Sequence, residues 1–335
     1  MSELIIRPTD KTTIEKQVRV YMDAFRHNEE QYDVLYSKWE KKHFKNPNGE
    51  SYIFGAFDDG ELVGINCFLQ MRYIYQNDEI KVLQSCESGV VKSHQRQGIW
   101  GKIMIFAEEY LMKNTDIDVI IGFPNYKNSY PGFIKMGWKS LFNEKNLILV
   151  NNGNKVMEML SGKHWWTRIG YVFELQRLLI GIRNTTEYSI VRANGIRPKK
   201  EKKDMISLQY DRQWMNWKKD YAGIDIYEIK RKEKTVAYAI TEEDKMNDSK
   251  YIKILKFSVI GNQKIKEAAL AAFLKFTRKQ DYSLIRVWDD EEIYIKLGFV
   301  EMKRHVNPFI VNVLNEQKLY LENEKLWNVG FLDLD

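Results

Sequence analysis

"VVKSHQRQGIWGKIMIFAEEYL", residues 90–111, is the stretch that decides how this chain is read. An apolar, β-branched run, "KVLQSCESGVV" (81–91), leads into it, and "IWGKIMIFAEEYL" has helical spacing. Gly98 and Gly101 stand at the mouth of that helix among polar and basic side chains. Glycine there serves one of two needs: a sharp strand-to-helix turn, or close approach of something negative to the backbone. A helix N-terminus offers unpaired N–H donors and about half a positive charge, and glycine lacks the Cβ that would hold an anion away. Arg96 and Lys102 add charge to the same place, with Lys92 near.

Outward from this motif, "LIIRPTD" (4–10) reads as a first strand, and residues 11 to 44 as helical in two amphipathic segments, with Thr12 or Thr13 as cap. "SYIFGAF" and "ELVGINCFLQMRYIY" read as strands joined by "DDG", a hairpin signal, and "QNDEI" as a second turn. After the motif come a buried-looking strand, "DVIIGFP", a short helix in "NSYPGFIKMGW", and "KSLFNEKNLILV" (139–150), expected to close the unit as a strand. The mixed order over 1–150 predicts an α+β or α/β unit, a mixed sheet with helices packed on it.

Residues 151–204 read as a helical connector and linker. "HWWTRIGYVFELQRLLIGI" is its apolar part, expected to pack between domains, and "NTTEYSIVRANGIRPKKEKKD" (184–204) reads as loop. The remainder, 205–335, repeats the first unit more weakly. "RQWMNWKKDYAGIDIYEIKRKEKTVAYAI" (212–240) answers residues 37–68, and "YSLIRVWDDEEIYIKLGFVEM" (282–302) answers 118–141. Two copies of one fold follow, with helices on both faces of each sheet. The length agrees, since 335 residues exceed one ordinary core and suit two domains of about 150 residues each.

Composition narrows the classes. Hydrophobic residues at 44% and aromatic ones at 13% are ample for packed cores, which excludes a disordered chain. No signal-like apolar start is present and no run nears the roughly 18 apolar residues of a membrane span, so a soluble, cytoplasmic protein is expected. Cys67 and Cys86, in strand-like contexts, are expected as reduced thiols. The net charge of +6 is diffuse, and the densest basic run, 197–204, lacks interleaved aromatics, so no nucleic-acid partner is expected. No cluster has metal-ligand spacing, so no metal is expected. The sequence leaves the oligomeric state open.

The order of elements, with Gln95-Arg96-Gln97-Gly98-Ile99-Trp100 opening a helix, resembles the GNAT superfamily of acetyl-CoA-dependent N-acetyltransferases, whose fingerprint is Gln/Arg-x-x-Gly-x-Gly/Ala. "GFIKMGW" and "YIKLGF" resemble its closing helix-to-strand signature, once in each half, so the architecture is similar to a tandem GNAT protein. Trp100 departs from the fingerprint's small sixth residue, and Gly101 follows it.

The resemblance implies acetyl-CoA as acyl donor, with its pyrophosphate on residues 95–102: Gln95, Arg96, Gln97, Gly98, Ile99, Trp100, Gly101 and Lys102. By the same resemblance the backbone of Gly89, Val90 and Val91 bonds the pantetheine arm, opposite a strand edge that ends at Asn125. Glu87, an acid on a mainly apolar strand just before the loop, is the expected base. The family's usual acid is a tyrosine four residues before the glycine of the closing signature; here that residue is Phe133, and Tyr130 is the preferred substitute, ahead of Tyr126. In the second half Tyr294 stands at the acid position, but "IGNQKIKEAALAAF" has no glycine loop, so that copy is expected to be non-catalytic. Acceptor contacts are sought among Arg26, His27, Tyr32, Trp39 and His43, and among His164, Trp165 and Trp166. The implied function is direct acetyl transfer to a primary amine of a small molecule, an amino sugar or similar. Two alternatives stand beside it: a Fem-type aminoacyl transferase using charged tRNA, and an acyl-CoA-binding sensor or scaffold without transfer.

Overall fold

The computed structural model describes residues 4–153, 155–156, 178–181, 183–195, 204–246, 249–289, 291–302 and 306–334. The first half runs β1 (Ile5–Thr9), α1 (Ile14–Phe25), α2 (Tyr32–Phe44), β2 (Tyr52–Asp58), β3 (Glu61–Tyr75), β4 (Asp78–Val90), α3 (Ile99–Asn114), β5 (Val119–Gly122), α4 (Tyr130–Lys135), β6 (Lys139–Asn143) and β7 (Asn146–Val150). The second runs β8 (Tyr188–Arg192), β9 (Ile206–Leu208), α5 (Arg212–Ala222), β10 (Asp225–Arg231), β11 (Lys234–Met246), β12 (Ser249–Val259), α6 (Gln263–Thr277), β13 (Leu284–Trp288), α7 (Glu292–Lys296), β14 (Val300–Glu301), β15 (Pro308–Val313) and β16 (Trp327–Asn328).

Local chemistry explains most of these boundaries. The turn between β2 and β3 has Asp59 and Gly60 at positive φ, and that between β3 and β4 has Gln76 and Asn77 there. Two consecutive left-handed residues match the right-handed strand twist, which is why both hairpins close so tightly. The first helical turn is capped by Asp10, whose carboxylate accepts the Thr12 amide at 2.9 Å, and not by Thr12 or Thr13. Arg26, at φ +61°, ends α1 and separates the two helical segments. Segment 184–204, read as loop, contains a strand: β8 pairs with β10 along the edge of the second sheet.

The two sheets have the same strand order. The first is β1-β2-β3-β4-β5-β15-β6, with β9 and β16 added beside β3; the second is β8-β10-β11-β12-β13-β7-β14. The sixth strand of each is exchanged. β7, expected to close the first unit, instead lies between β13 and β14 of the second sheet, while β15 fills its place between β5 and β6. Sheet membership therefore does not follow the sequence boundary at 150. Strand alternation alone cannot reveal this, because β7 and β15 are both short, mainly apolar runs whose pattern does not name a partner.

Helices cover both faces of the first sheet. α3 and α4 bury Phe54, Leu83, Ile103 and Trp138 on one face, and α1 and α2 bury Val18, Trp39, Ile65 and Cys67 on the other. A larger core continues from β3 and β5 to α5 and the second sheet through Tyr73, Trp214, Trp217, Trp288 and Phe309. Among the described residues no helix is long and apolar enough to cross a membrane.

Candidate active site

β4 and β5 run parallel from Val82↔Val119 to Ser85↔Gly122, and there the pairing stops. β5 ends at Gly122, while β4 continues to Val90 paired only with β3. The two strands part because β4 carries a bulge: its register with β3 shifts between Cys67↔Cys86 and Ile65↔Gly89, and Glu87 in the extra stretch adopts φ +36°. A bulge bends its strand and raises the local twist, which turns β4 away from β5. Asn66, fully buried opposite the bulge, holds it by bonding the hydroxyls of Ser85 and Ser88.

Beyond the bulge, the Val91 amide donates to Val63 on β3 at 2.9 Å. Alternation along the strand then directs the amide and carbonyl of Val90 to the opposite edge, the one that faces the gap. The Val90 carbonyl is taken there by Gln95 Nε2 at 3.0 Å. Gly89 has a different reason for being glycine, since a Cβ would stand 2.9 Å from that of Ala24. It lets α1 lie close on β4.

The loop from Lys92 to Gly98 is pinned at two points. Asp23 on α1 accepts the Lys92 amide at 2.6 Å, and Asp58 at the end of β2 pairs with His94 Nε2 at 3.0 Å. Gly98 is the N-cap of α3 at φ +73°, a left-handed turn that disfavours any side chain. Being glycine, it leaves the first amides of α3 without a side-chain cap. Gly101 is helical, and a Cβ there would meet nothing within 4 Å. Neither backbone conformation nor protein packing calls for glycine at 101, so the open space over the first turn of α3 is left for close approach from outside. Arg96, Gln97 and Lys102 are exposed around it. This cradle fits a pyrophosphate.

The second copy shows the contrast. α6 corresponds to α3, but its N-cap is Asn262, whose side chain accepts the Ile265 amide at 3.1 Å. A Cβ on Gly261 would lie 2.8 Å from Ile265 Cδ1. In α6 the chain itself supplies a side-chain acceptor to an N-terminal amide, which α3 does not have.

Trp100 packs its ring edge-on against Phe133 at 4.9 Å and reaches Asn66 Oδ1 at 3.4 Å. It fills the space between α3 and α4, so the bulky sixth residue of the motif points into the protein and not over the cradle. Phe133 is buried. Tyr130 opens α4 with its ring stacked on Tyr126 at 5.3 Å, on the α3/α4 side of the sheet. Asn125 is engaged locally, its side-chain oxygen accepting the amide of Lys127 at 3.0 Å.

Glu87 lies on the other side. Its Oε1 is paired with Lys42 of α2, and its Oε2 stands 3.5 Å from His43 Nε2. His43 is fully buried, with Nδ1 at 2.9 Å from Ser51 Oγ and its ring against Trp39. The structure thus joins Glu87 to His43 and keeps it apart from Tyr130, across the sheet. Lys42 escaped the sequence reading because "SKWEKKHF" looks like a solvated charge run. Its spacing held the clue, since Trp39, Lys42 and His43 stand at i, i+3 and i+4 on one buried face. Tyr294 is fully buried against Phe299, and burial lifts its hydroxyl well above the usual tyrosine range. His164, Trp165 and Trp166 lie outside the described residues. Among the described residues no group of His, Cys, Asp and Glu is arranged to hold a metal.

A family model described as an acetyltransferase (GNAT) domain matches residues 5–141. A search of curated proteins finds no match. Among solved structures, a conserved protein of Enterococcus faecalis V583 described as a probable N-acyltransferase is similar, with TM-score 0.64, 11% identity, and coverage of 94% of this chain and 74% of that one. The tandem GNAT protein from the clavulanic acid biosynthesis pathway matches with TM-score 0.55, 12% identity, and coverage of 93% and 99%. Eis1 from Mycobacterium abscessus matches with TM-score 0.58, 11% identity, and coverage of 96% and 76%. At such identities the likeness is one of fold.

Proposed function

We propose that the chain is a GNAT-type N-acetyltransferase, from the match of residues 5–141 to the acetyltransferase (GNAT) domain and the likeness of its fold to a tandem GNAT protein, and that it transfers acetyl from acetyl-CoA directly to a primary amine of a small molecule such as an amino sugar. The observation that carries this reading is the α3 N-terminus: uncapped, with Gly98 turning the chain and open space over Gly101, beside the parted edges of β4 and β5. The capped N-terminus of α6 supports one cofactor site per chain, in the first half.

When bound, acetyl-CoA supplies a thioester carbonyl and a thiolate leaving group. The residues of this chain do the rest. The α3 amides, with Arg96 and Lys102, hold the pyrophosphate. The Val90 amide, aimed at the gap, polarises the carbonyl. On the α1/α2 side, Glu87 takes a proton from the acceptor ammonium, which frees the lone pair that forms the new C–N bond. Tyr130, on the opposite face, is the proposed donor toward the departing sulfur. The second half braces α2, through Trp217 Nε1 bonded to the Lys41 carbonyl at 2.8 Å and Asp220 paired with Lys41 at 3.0 Å.

Thermal unfolding with and without acetyl-CoA tests the reading, beside desulfo-CoA and charged tRNA. At 100 times its dissociation constant a ligand adds about 2.7 kcal/mol. A shift with acetyl-CoA, followed by thiol release on adding amines, is the expected result. A shift with charged tRNA alone moves the assignment to aminoacyl transfer. Acetyl-CoA binding without thiol release from any amine makes the protein a sensor.

A further inference from the structure

We propose that Cys67 and Cys86 form a peroxide-sensitive dithiol site, oxidised reversibly to a cross-strand disulfide that slows acetyl transfer. The effect on transfer rests on the acyltransferase reading above; the bond itself does not. The chain has two cysteines, and the fold sets them directly opposite each other, Cys67 on β3 and Cys86 on β4. No disulfide joins them, and both pack in the apolar cluster under α1 and α2 that holds Ile65 and Trp39. Opposite residues of an antiparallel pair stand about 4.5–5.5 Å apart at Cα, and a disulfide spans about 4.4–6.8 Å. Side chains of an opposite pair also project from the same face of the sheet. The backbone therefore brings the two thiols into position for a bond without any strand having to change place.

The two thiols differ in access. Cys67 is fully buried, whereas Cys86 is partly exposed, as are its neighbours Ser85, Glu87 and Ser88 where β4 leaves β5. A small oxidant entering the gap meets Cys86 first, with Cys67 behind it as the resolving thiol. The Cys86 thiolate attacks one oxygen of hydrogen peroxide, the O–O bond breaks, and the other oxygen leaves as water after taking up a proton. The Cys67 sulfur then displaces hydroxyl from the Cys86 sulfenic acid, which forms the S–S bond and a second water. Two electrons and two protons pass from the thiols to the peroxide. The place of the bond gives it a consequence. Cys86 lies between Ser85, the last residue of β4 paired with β5, and Glu87 in the bulge at φ +36°. Drawing the two sulfurs to about 2.05 Å ties β3 to β4 at the start of the bulge that parts the strands. A displacement of about 1 Å at reacting groups costs about 100-fold in rate. A disulfide in a partly exposed place is also readily reduced again, as a reversible switch requires.

The test treats reduced wild-type protein with hydrogen peroxide, stops the reaction with catalase, and reads intact mass, peptide map and acetyl transfer. The expected product is an intramolecular Cys67–Cys86 bond, seen as a loss of about 2 Da per chain and one cross-linked peptide, and reversed by dithiothreitol. In Cys67→Ala, dimedone is expected to trap a sulfenic acid at Cys86. On oxidation kcat/KM is expected to fall at least about tenfold and to return with dithiothreitol. The double variant Cys67→Ala/Cys86→Ala is expected to lose this sensitivity to peroxide. Oxidation of Cys86 to sulfinic acid with no bond to Cys67, or a disulfide formed only between chains, overturns the proposal. So does a Cys67–Cys86 bond that leaves kcat/KM at its reduced value. Failure of the acyltransferase reading shows differently, as reduced wild-type protein that acetylates no amine, and the bond then decides the dithiol site by itself.

Discussion

Gly132 illustrates how single residues are fixed around the site. It lies in the first turn of α4, where alanine would ordinarily be worth about 0.5–1 kcal/mol of helix stability. A Cβ there would come within 2.6 Å of Trp100 Cζ3, a ring already packed edge-on against Phe133 at 4.9 Å. Overpacking of this kind costs about 1–3 kcal/mol, so the clash wins. Gly132→Ala is expected to lower stability by about 1–2 kcal/mol in denaturant unfolding. Adding Trp100→Leu should recover most of the loss; a stabilised single variant would contradict the packing described for Trp100.

At the level of the element, α3 and α6 are equivalent helices with opposite N-termini. Asn262 spends its side chain on the Ile265 amide, a cap worth about 1 kcal/mol. Gly98 makes no such bond. α6 is thus built for its own stability and α3 gives up a cap to leave its donors open. Asn262→Ala is expected to cost about 1 kcal/mol and to leave acetyl-CoA binding unchanged at one per chain by titration calorimetry. A lost or gained acetyl-CoA site in that variant would refute the division of labour between the copies.

The whole molecule is tied together where the exchanged strands cross. The Glu144 amide donates to the Asn307 carbonyl at 2.8 Å, joining the two crossing connections, and Arg286 of β13 lies 3.3 Å from the Glu144 carboxylate. Burial pushes that carboxyl above the usual 4.5, outweighing the pull of the Arg286 guanidinium. The sign follows: a raised folded-state value gives stability that is full below about 4.5 and is lost as pH rises through the folded value. Glu144→Gln keeps an acceptor for Arg286 but does not titrate. The stability of the wild type relative to this variant is therefore expected to be greater at about pH 5 than at about pH 8, measured by denaturant unfolding. The reverse order would mean that the ion pair dominates burial.

The sequence by itself determined the repeat, the glycine-bearing strand-to-helix turn at 95–102 and the presence of a carboxylate, Glu87, just before it. Those features are local: periodicity, turn residues and glycines at a helix start act over a few positions. It also carried the absence of a tyrosine at 133. Only the tertiary structure decided the exchange of β7 and β15, the strand within 184–204, and the pairing of Lys42 with Glu87. Each of these joins residues far apart in the chain, and an apolar strand or a lysine on a helix carries no mark of its distant partner. The opening question about the glycines divides the same way. A left-handed turn at Gly98 is written in the local chemistry, whereas the empty space above Gly101 exists only once the surrounding elements are packed.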